Sequence, residues 1–268
     1  MTRPYSESGS GAAELFRGMR RRLFRARIRR AARAAALPGR AGVAELEGYG
    51  LRVAYPDRTI WLHQFLEIFA ADCYGLRRLT PRARVVDAGA NIGVFTLCAL
   101  WRQPGAQVVA IEPDPANLEY LRRNVAPWTA GQVQIVPAAL GLRPGTTRLD
   151  GAESDALRTG AAGGREVDVR ALEPYLREPV DLLKMDIEGA ECDALRSAGD
   201  GLRRVRRVVF EHHQFGGEPC RLPDCLSLLG GAGFDRFAIG QHRERPIPEP
   251  HPLEHVCIVD AWRAGRTT

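Results

Sequence analysis

The stretch Val85-Val86-Asp87-Ala88-Gly89-Ala90-Asn91-Ile92-Gly93 decides the fold. Two β-branched residues lead into an acid, two glycines bracket small residues, and an apolar run from Val94 follows. A short apolar strand of this kind suits burial on both faces of a parallel sheet. Glycine supplies the backbone freedom and close approach that a tight strand-to-helix turn needs. Ligands of such sheets bind at the carboxyl ends of the strands, so this turn is read as the edge of a site.

Working outward, short strands alternate with helices. Strands are expected at 84–87, 107–112, 133–136, 180–185, 205–210, 236–239 and 255–262, and helices at 93–102, 115–125, 190–197 and 223–230. Asp114 before Pro115 reads as a helix N-cap. The pattern predicts an α/β, Rossmann-like three-layer sandwich. Residues 141–172 break the rhythm with a Gly/Thr/Ala-rich insertion, holding strands at 146–149 and 166–169, read as an inserted hairpin or mobile loop beside the site. Ahead of the sheet, 49–55 reads as a strand, Pro56-Asp57 as a turn, 59–63 as the returning strand and 64–73 as a helix. Three regions result: a basic helical segment at 1–45, a hairpin-plus-helix cap at 46–79, and the main domain at 80–264.

The chemistry of the turn narrows its ligand. A dinucleotide fold carries G-x-G-x-x-G, whereas here the order is D-x-G-x-N-x-G, and Asp87 would repel a pyrophosphate. The helix after Gly93 favours a carboxylate at its N-terminus, and Asp87 can orient an ammonium. S-adenosylmethionine carries both groups on its amino-acid head. Gly89, Ala90, Asn91 and Gly93 would form the cradle. Glu112, at the end of the second strand before Pro113, can accept both ribose hydroxyls. Ala138 and Ala139, after the third strand, leave room for an adenine ring.

A second motif, Leu182-Leu183-Lys184-Met185-Asp186-Ile187-Glu188-Gly189-Ala190-Glu191, crowds acids at the fourth strand's end. With "VVDAGANIG", "AIEPDP", "AALG" and "VVFEHH", it resembles the FkbM-type methyltransferases over roughly residues 84–213. The resemblance implies a class I methyltransferase fold of seven strands with the last antiparallel. It also implies O-methylation of a hydroxyl on a sugar, polyketide or other secondary metabolite. The cap ending at Tyr74 is similar to the family's N-terminal region, which adds Tyr74 to the cofactor residues. Lys184, the only lysine in the chain, falls inside the resembling motif, where a compact amine that arginine cannot replace is expected.

An aliphatic hydroxyl needs help to lose its proton. The candidates at the strand ends are Asp186, which at its strand's tip is also expected to face the cofactor's methyl group, with Glu188, Glu211, His212 and His213. Alternation puts Glu211 and His213 on one face and His212 on the other. A histidine has the better matched pKa, and His212 is the first expectation, with Asp186 or Glu211 orienting it or the substrate. Glu188 and Lys184 are assigned to the substrate side. A less favoured variant places Mg²⁺ on Asp186, Glu188 and Glu211 as hard oxygen ligands. The rival readings are methylation of nucleic acid or protein, and a non-catalytic scaffold on the same fold.

Composition adds bounds. The chain has 268 residues and a net charge of +6, but 37 of its 38 basic residues are arginine and the excess lies between Arg17 and Arg40. This local excess gives no ground for nucleic-acid binding. It suits a helix at 12–36, with Leu15, Met19 and Leu23 on one face, which allows a homodimer. No apolar stretch reaches membrane-spanning length, and scattered cysteines fit a reducing cytoplasm.

Overall fold

The structure, a computed structural model, describes residues 41–46, 51–128, 131–149, 164–215, 221–241 and 253–264. The basic helix expected at 12–36 and the centre of the 141–172 insertion lie outside the described residues.

The main domain is one sheet with helices on both faces. Its strands are β3 (Arg84–Ala88), β4 (Gln107–Ile111), β5 (Val133–Val136), β9 (Leu182–Met185), β10 (Arg207–Phe215), β11 (Arg236–Gln241) and β12 (Leu253–Trp262). They lie in the order β11-β12-β10-β9-β3-β4-β5. β3 pairs in parallel with β4 and β9, and β12 runs antiparallel between β10 and β11. A plain dinucleotide fold has no such inserted strand beside its fifth. The strand order reverses at β3, so the turn after β3 opens into the crevice where such sheets bind ligands.

Alternation along β3 shows how the layers form. Val85 joins one buried cluster with α2 (Val94–Arg102) and α3 (Pro115–Val125), while Val86 joins the other with α4 (Glu191–Ala198) and α5 (Leu222–Gly231). The helices and strands of this domain fall within a few residues of the sequence reading. One exception is β10, which runs on through His213 because its pairing with β12 continues past Phe210. The insertion contributes β7 (Gly145–Leu149) and β8 (Arg165–Arg170), which form a three-stranded sheet with β6 (Ala139–Leu140). Cys98 and Cys257 carry free thiols.

The region before the sheet differs from the expected hairpin. β2 (Leu51–Tyr55) pairs antiparallel with β1 (Gly42–Leu46), and the segment read as a returning strand is helical, α1 (Arg58–Gln64). Aromatic spacing explains the difference. Trp61, Phe65 and Phe69 recur every fourth residue, a helical repeat, and stack in sequence at centroid distances of 5.5 and 4.9 Å. Tyr55 closes the stack on Trp61 and Trp101 of α2 on Phe69, so the rings weld cap to domain. α1 continues as a π-helical turn, Phe65–Ala71, that ends on Asp72 in a left-handed conformation at φ 60°. Such turns are frequent at functional sites. Here the turn delivers Tyr74 over the strand tips.

Candidate active site

The loop after β3 is shaped by its glycines. Gly89 has φ +75°, and a Cβ there would lie 1.8 Å from the carbonyl oxygen of Asp186. Gly93 has φ +89° and caps α2 with no side-chain hydrogen bond. The first amides of α2 therefore receive no cap from their own N-cap residue, and such amides favour an anion. The loop is also tied to β4, because the amides of Gly89 and Ala90 both donate to the Ile111 carbonyl at 3.0 Å.

Asp87 has a different task from the one expected of it. It is fully buried, its Oδ2 accepts a 2.6 Å hydrogen bond from Thr96, and its Oδ1 lies 3.2 Å from Lys184 Nζ. Both oxygens are thus engaged within the protein, by Thr96 and Lys184. Lys184 in turn donates to the carbonyls of Gly89 at 2.6 Å and Ala88 at 3.3 Å, beneath the rings of Tyr74 and Phe95. Burial works against the lysine's charge, but Asp87 and Asp186 outweigh it and hold its pKa above the usual value. Burial likewise pushes the Asp87 carboxyl up, against the pull of Lys184 and Thr96. Lys184 is thus a strut under the Gly89 turn, its amine spent on Asp87 and two backbone carbonyls.

Glu112 sits at the tip of β4, and its carboxylate is largely engaged. Oε2 accepts the Asn91 amide at 2.8 Å, while Oε1 accepts the Asp114 amide at 2.9 Å and Asn117 Nδ2 at 3.4 Å. A carboxylate has about four acceptor sites, so these three bonds leave one. Burial pushes the Glu112 carboxyl up to about 7, while its backbone donors hold it down. Pro113 is half-buried, and Asp114 caps α3 as read from the sequence, accepting from the Ala116 amide. Ala138 and Ala139 are buried, Ala138 in the main core and Ala139 against Leu149 and Val167.

Beside this loop the tips of β9 and β10 gather the second set of groups. Tyr74 Oη donates to Glu211 Oε1 at 2.6 Å and lies 3.2 Å from Asp186 Oδ2. The opposite oxygens, Asp186 Oδ1 and Glu211 Oε2, each lie 3.8 Å from His213 Nε2. Glu188 Oε2 approaches the same nitrogen at 3.6 Å, held there by a left-handed residue at φ 53°. His213 Nδ1 faces Glu191 Oε1 at 3.1 Å. Burial disfavours a charged imidazole, yet the Glu191 hydrogen bond and the acids around it raise His213 to about 10. Burial and Asp186 push Glu211 up to about 7, against the Tyr74 hydrogen bond. Glu188 rises to about 8 by burial, with His213 opposing and Asp186 adding.

His212, the base first expected, points to the other face of β10, opposite Cys257. Neither of its buried ring nitrogens has a hydrogen-bond partner, and burial lowers its pKa. The structure therefore brings Asp186, Glu188, Glu211, His213 and Tyr74 together and leaves His212 apart. Glu191 proves to be the fully buried partner of His213. Thr96 and Asn124 were missed. Asn124 accepts from the Ala54 amide and donates to the carbonyls of Ala54 and Ile92, tying β2 to the cofactor loop. Its signal was a polar residue next to Val125 and one turn after Leu121, on the buried side of α3.

The strand order, the glycine turn and the acid at the tip of β4 define a class I methyltransferase. Residues 87–236 match the family model described as the methyltransferase FkbM domain, and the chain belongs to that family. It is 35% identical over 215 residues to the 31-O-demethyl-FK506 methyltransferase FkbM of Streptomyces tacrolimicus, covering 64% of this chain and 81% of that protein. It is 30% identical over 213 residues to methyltransferase sdnD of Sordaria araneosa, with the same two coverages, 64% and 81%. Among solved structures, M. jannaschii TYW2 in complex with AdoMet aligns with a TM-score of 0.48 at 13% identity, over 83% of this chain and 85% of that one. The protein is a methyltransferase. No helix among the described residues is long and apolar enough to cross a membrane.

Proposed function

We propose that the protein transfers a methyl group from S-adenosylmethionine to a hydroxyl of a small molecule. The observation that carries this reading is adjacency. The glycine turn and the proton-handling cluster share a wall, Gly89 packing directly on the Asp186 backbone. The residues present fit the cofactor, since α2 offers amides without a side-chain cap and Glu112 keeps one acceptor site open. Gly89 to Gly93 would hold the amino-acid head, Glu112 a ribose hydroxyl, and the backbone at Ala138 and Ala139 the adenine. When bound, S-adenosylmethionine supplies an electrophilic methyl group.

The chain's own residues prepare the acceptor. Glu188 takes the hydroxyl proton, because its buried Oε2 faces the cluster and has no hydrogen-bond partner. Tyr74 fixes Asp186 and Glu211, and Glu191 fixes His213, so the wall that receives the acceptor is set before it arrives. The name of the S. tacrolimicus relative specifies an O-demethyl acceptor, which supports oxygen as the atom methylated.

The test is incubation of the full chain with methyl-labelled S-adenosylmethionine and a metabolite extract, with RNA and protein fractions in parallel. Label on the oxygen of a small molecule, by mass spectrometry, is the expected result. Label in RNA or protein alone would favour the rival substrates and overturn the reading. Glu188→Gln should lower kcat by about 100-fold while leaving cofactor affinity unchanged.

A further inference from the structure

We propose that Asp186, Glu211 and His213 form a site for a first-row divalent transition metal, such as Mn²⁺, at the tips of β9 and β10. The proposal rests on the hydroxyl-methylating reading above and names how that acceptor is held. The three side chains place one ligand atom each within 4.8 Å of one another. His213 Nε2 lies 3.8 Å from Asp186 Oδ1 and 3.8 Å from Glu211 Oε2. These distances are too long for hydrogen bonds. They are close to the ~3.0–3.6 Å that separates neighbouring ligands on one cation with bonds of about 2.1 Å.

Each ligand is also aimed from behind. Tyr74 Oη gives its one proton to Glu211 Oε1 at 2.6 Å and lies 3.2 Å from Asp186 Oδ2, so the opposite oxygens, Oε2 and Oδ1, are the ones near the imidazole. Glu191 Oε1 takes His213 Nδ1, the arrangement that fixes the tautomer of a metal-binding histidine and presents Nε2. Tyr74→Phe would leave the carboxylates free to turn away.

The charge around the cluster supplies an independent reason. Glu191 reaches in with its side chain 1% exposed, and its Oε2 has no hydrogen-bond partner. Glu188 Oε2, also buried and without a hydrogen bond, lies 3.6 Å from the same Nε2. Four carboxylates thus converge on one imidazole. The nearest lysine, Lys184, is committed to Asp87 and the carbonyls of Ala88 and Gly89. Even against a charged His213, four carboxylates leave an excess of buried negative charge among the described residues; such an excess is costly, and a divalent ion offsets it.

The donor set selects the ion. Two carboxylates and one imidazole suit Mn²⁺, Fe²⁺ or Zn²⁺ better than Mg²⁺ or Ca²⁺, which prefer all-oxygen shells. The site therefore departs from the Mg²⁺ set read from the sequence, with His213 in and Glu188 out. Three protein ligands leave positions for the acceptor hydroxyl, whose acidity the ion raises. Its proton goes to Glu188, which stands next to the site without belonging to it.

The experiment is titration of the chelator-stripped full chain with Mn²⁺, following loss of the free-ion signal by electron paramagnetic resonance. One Mn²⁺ per chain is expected. Tyr74→Phe should weaken it about ten-fold, and His213→Ala and the near-isosteric Asp186→Asn by more, with circular dichroism confirming the fold of each. Mg²⁺ should displace Mn²⁺ only in large excess. No binding at ~1 mM Mn²⁺, an order of magnitude above ordinary metal-site affinities, or equal binding by all four proteins, overturns the proposal. Calorimetry of S-adenosylmethionine on the stripped chain separates the two readings. Intact cofactor binding with no Mn²⁺ binding removes the metal alone, whereas loss of cofactor binding removes the methyltransferase site itself.

Discussion

Replacing Lys184 by Met should cost far more than its distance from any acceptor would suggest. The methionine keeps most of the side chain's volume under Tyr74 and Phe95 but deletes a charge that three oxygens share, Asp87 Oδ1, Gly89 O and Ala88 O. Asp87 is left fully buried with only Thr96 as donor. Breaking a buried pair from one side destabilises by about 3–5 kcal/mol, a large part of the 5–15 kcal/mol that holds an ordinary domain together. Removing the partner charge as well, in Asp87→Asn with Lys184→Met, leaves two neutral groups of nearly native shape. That double variant should cost about 1–2 kcal/mol, less than either single change, because the penalty is the orphaned charge. Lys184→Arg should behave like the methionine, since the planar guanidinium cannot fit the same three oxygens beneath two rings. Urea unfolding followed by fluorescence and circular dichroism gives each value from the midpoint and slope. If Lys184→Met costs below about 1 kcal/mol, or the two single changes simply add, the strut does not exist as described.

Other outcomes follow from the same geometry. Gly89→Ala should abolish cofactor binding, since its Cβ would lie 1.8 Å from the Asp186 carbonyl oxygen at a φ of +75°; retained affinity by calorimetry would contradict the tight wall. Asn124→Ala leaves the Ala54 amide and the Ala54 and Ile92 carbonyls without partners. It should cost about 3 kcal/mol, with earlier proteolysis of the cap, and a loss below about 1 kcal/mol would show that cap and loop are not joined there. Glu112 has a folded pKa of about 7 against an ordinary 4.5, so its contribution to stability is present below 4.5 and lost as pH rises through 7. Cofactor affinity should run the opposite way, rising from pH 6 to pH 8 because the ionised form accepts the ribose hydroxyl. Glu112→Gln should flatten that profile in calorimetry, and a flat profile in the parent would remove the role.

The main sheet was legible because its strands are short apolar runs closed by glycine, proline or an acid, and each reads without knowledge of its neighbours. The cap was not. Thr59, Ile60 and Trp61 favour a strand locally, and only the stacking of Trp61 on Phe65 and Tyr55 shows why this stretch is helical. The site was legible as a list of residues and not as an arrangement. Alternation told that His212 and His213 face opposite ways, but not which face Tyr74 would cover. An acid at the end of β3 looks like a ligand for an ammonium. Its depth and its pairing with Lys184, many residues away, are properties of packing. Glu191 could be placed in a first helical turn, while its contact with His213 depends on two elements meeting.

The most direct measurement is calorimetric titration of the 268-residue chain with S-adenosylmethionine, alongside Glu112→Ala. The account predicts a single site per chain for the parent and at least a ten-fold weaker one for the variant, about 1.4 kcal/mol, as expected for one buried acceptor lost. An absence of binding heat in the folded parent, or equal affinity in the two proteins, would contradict it.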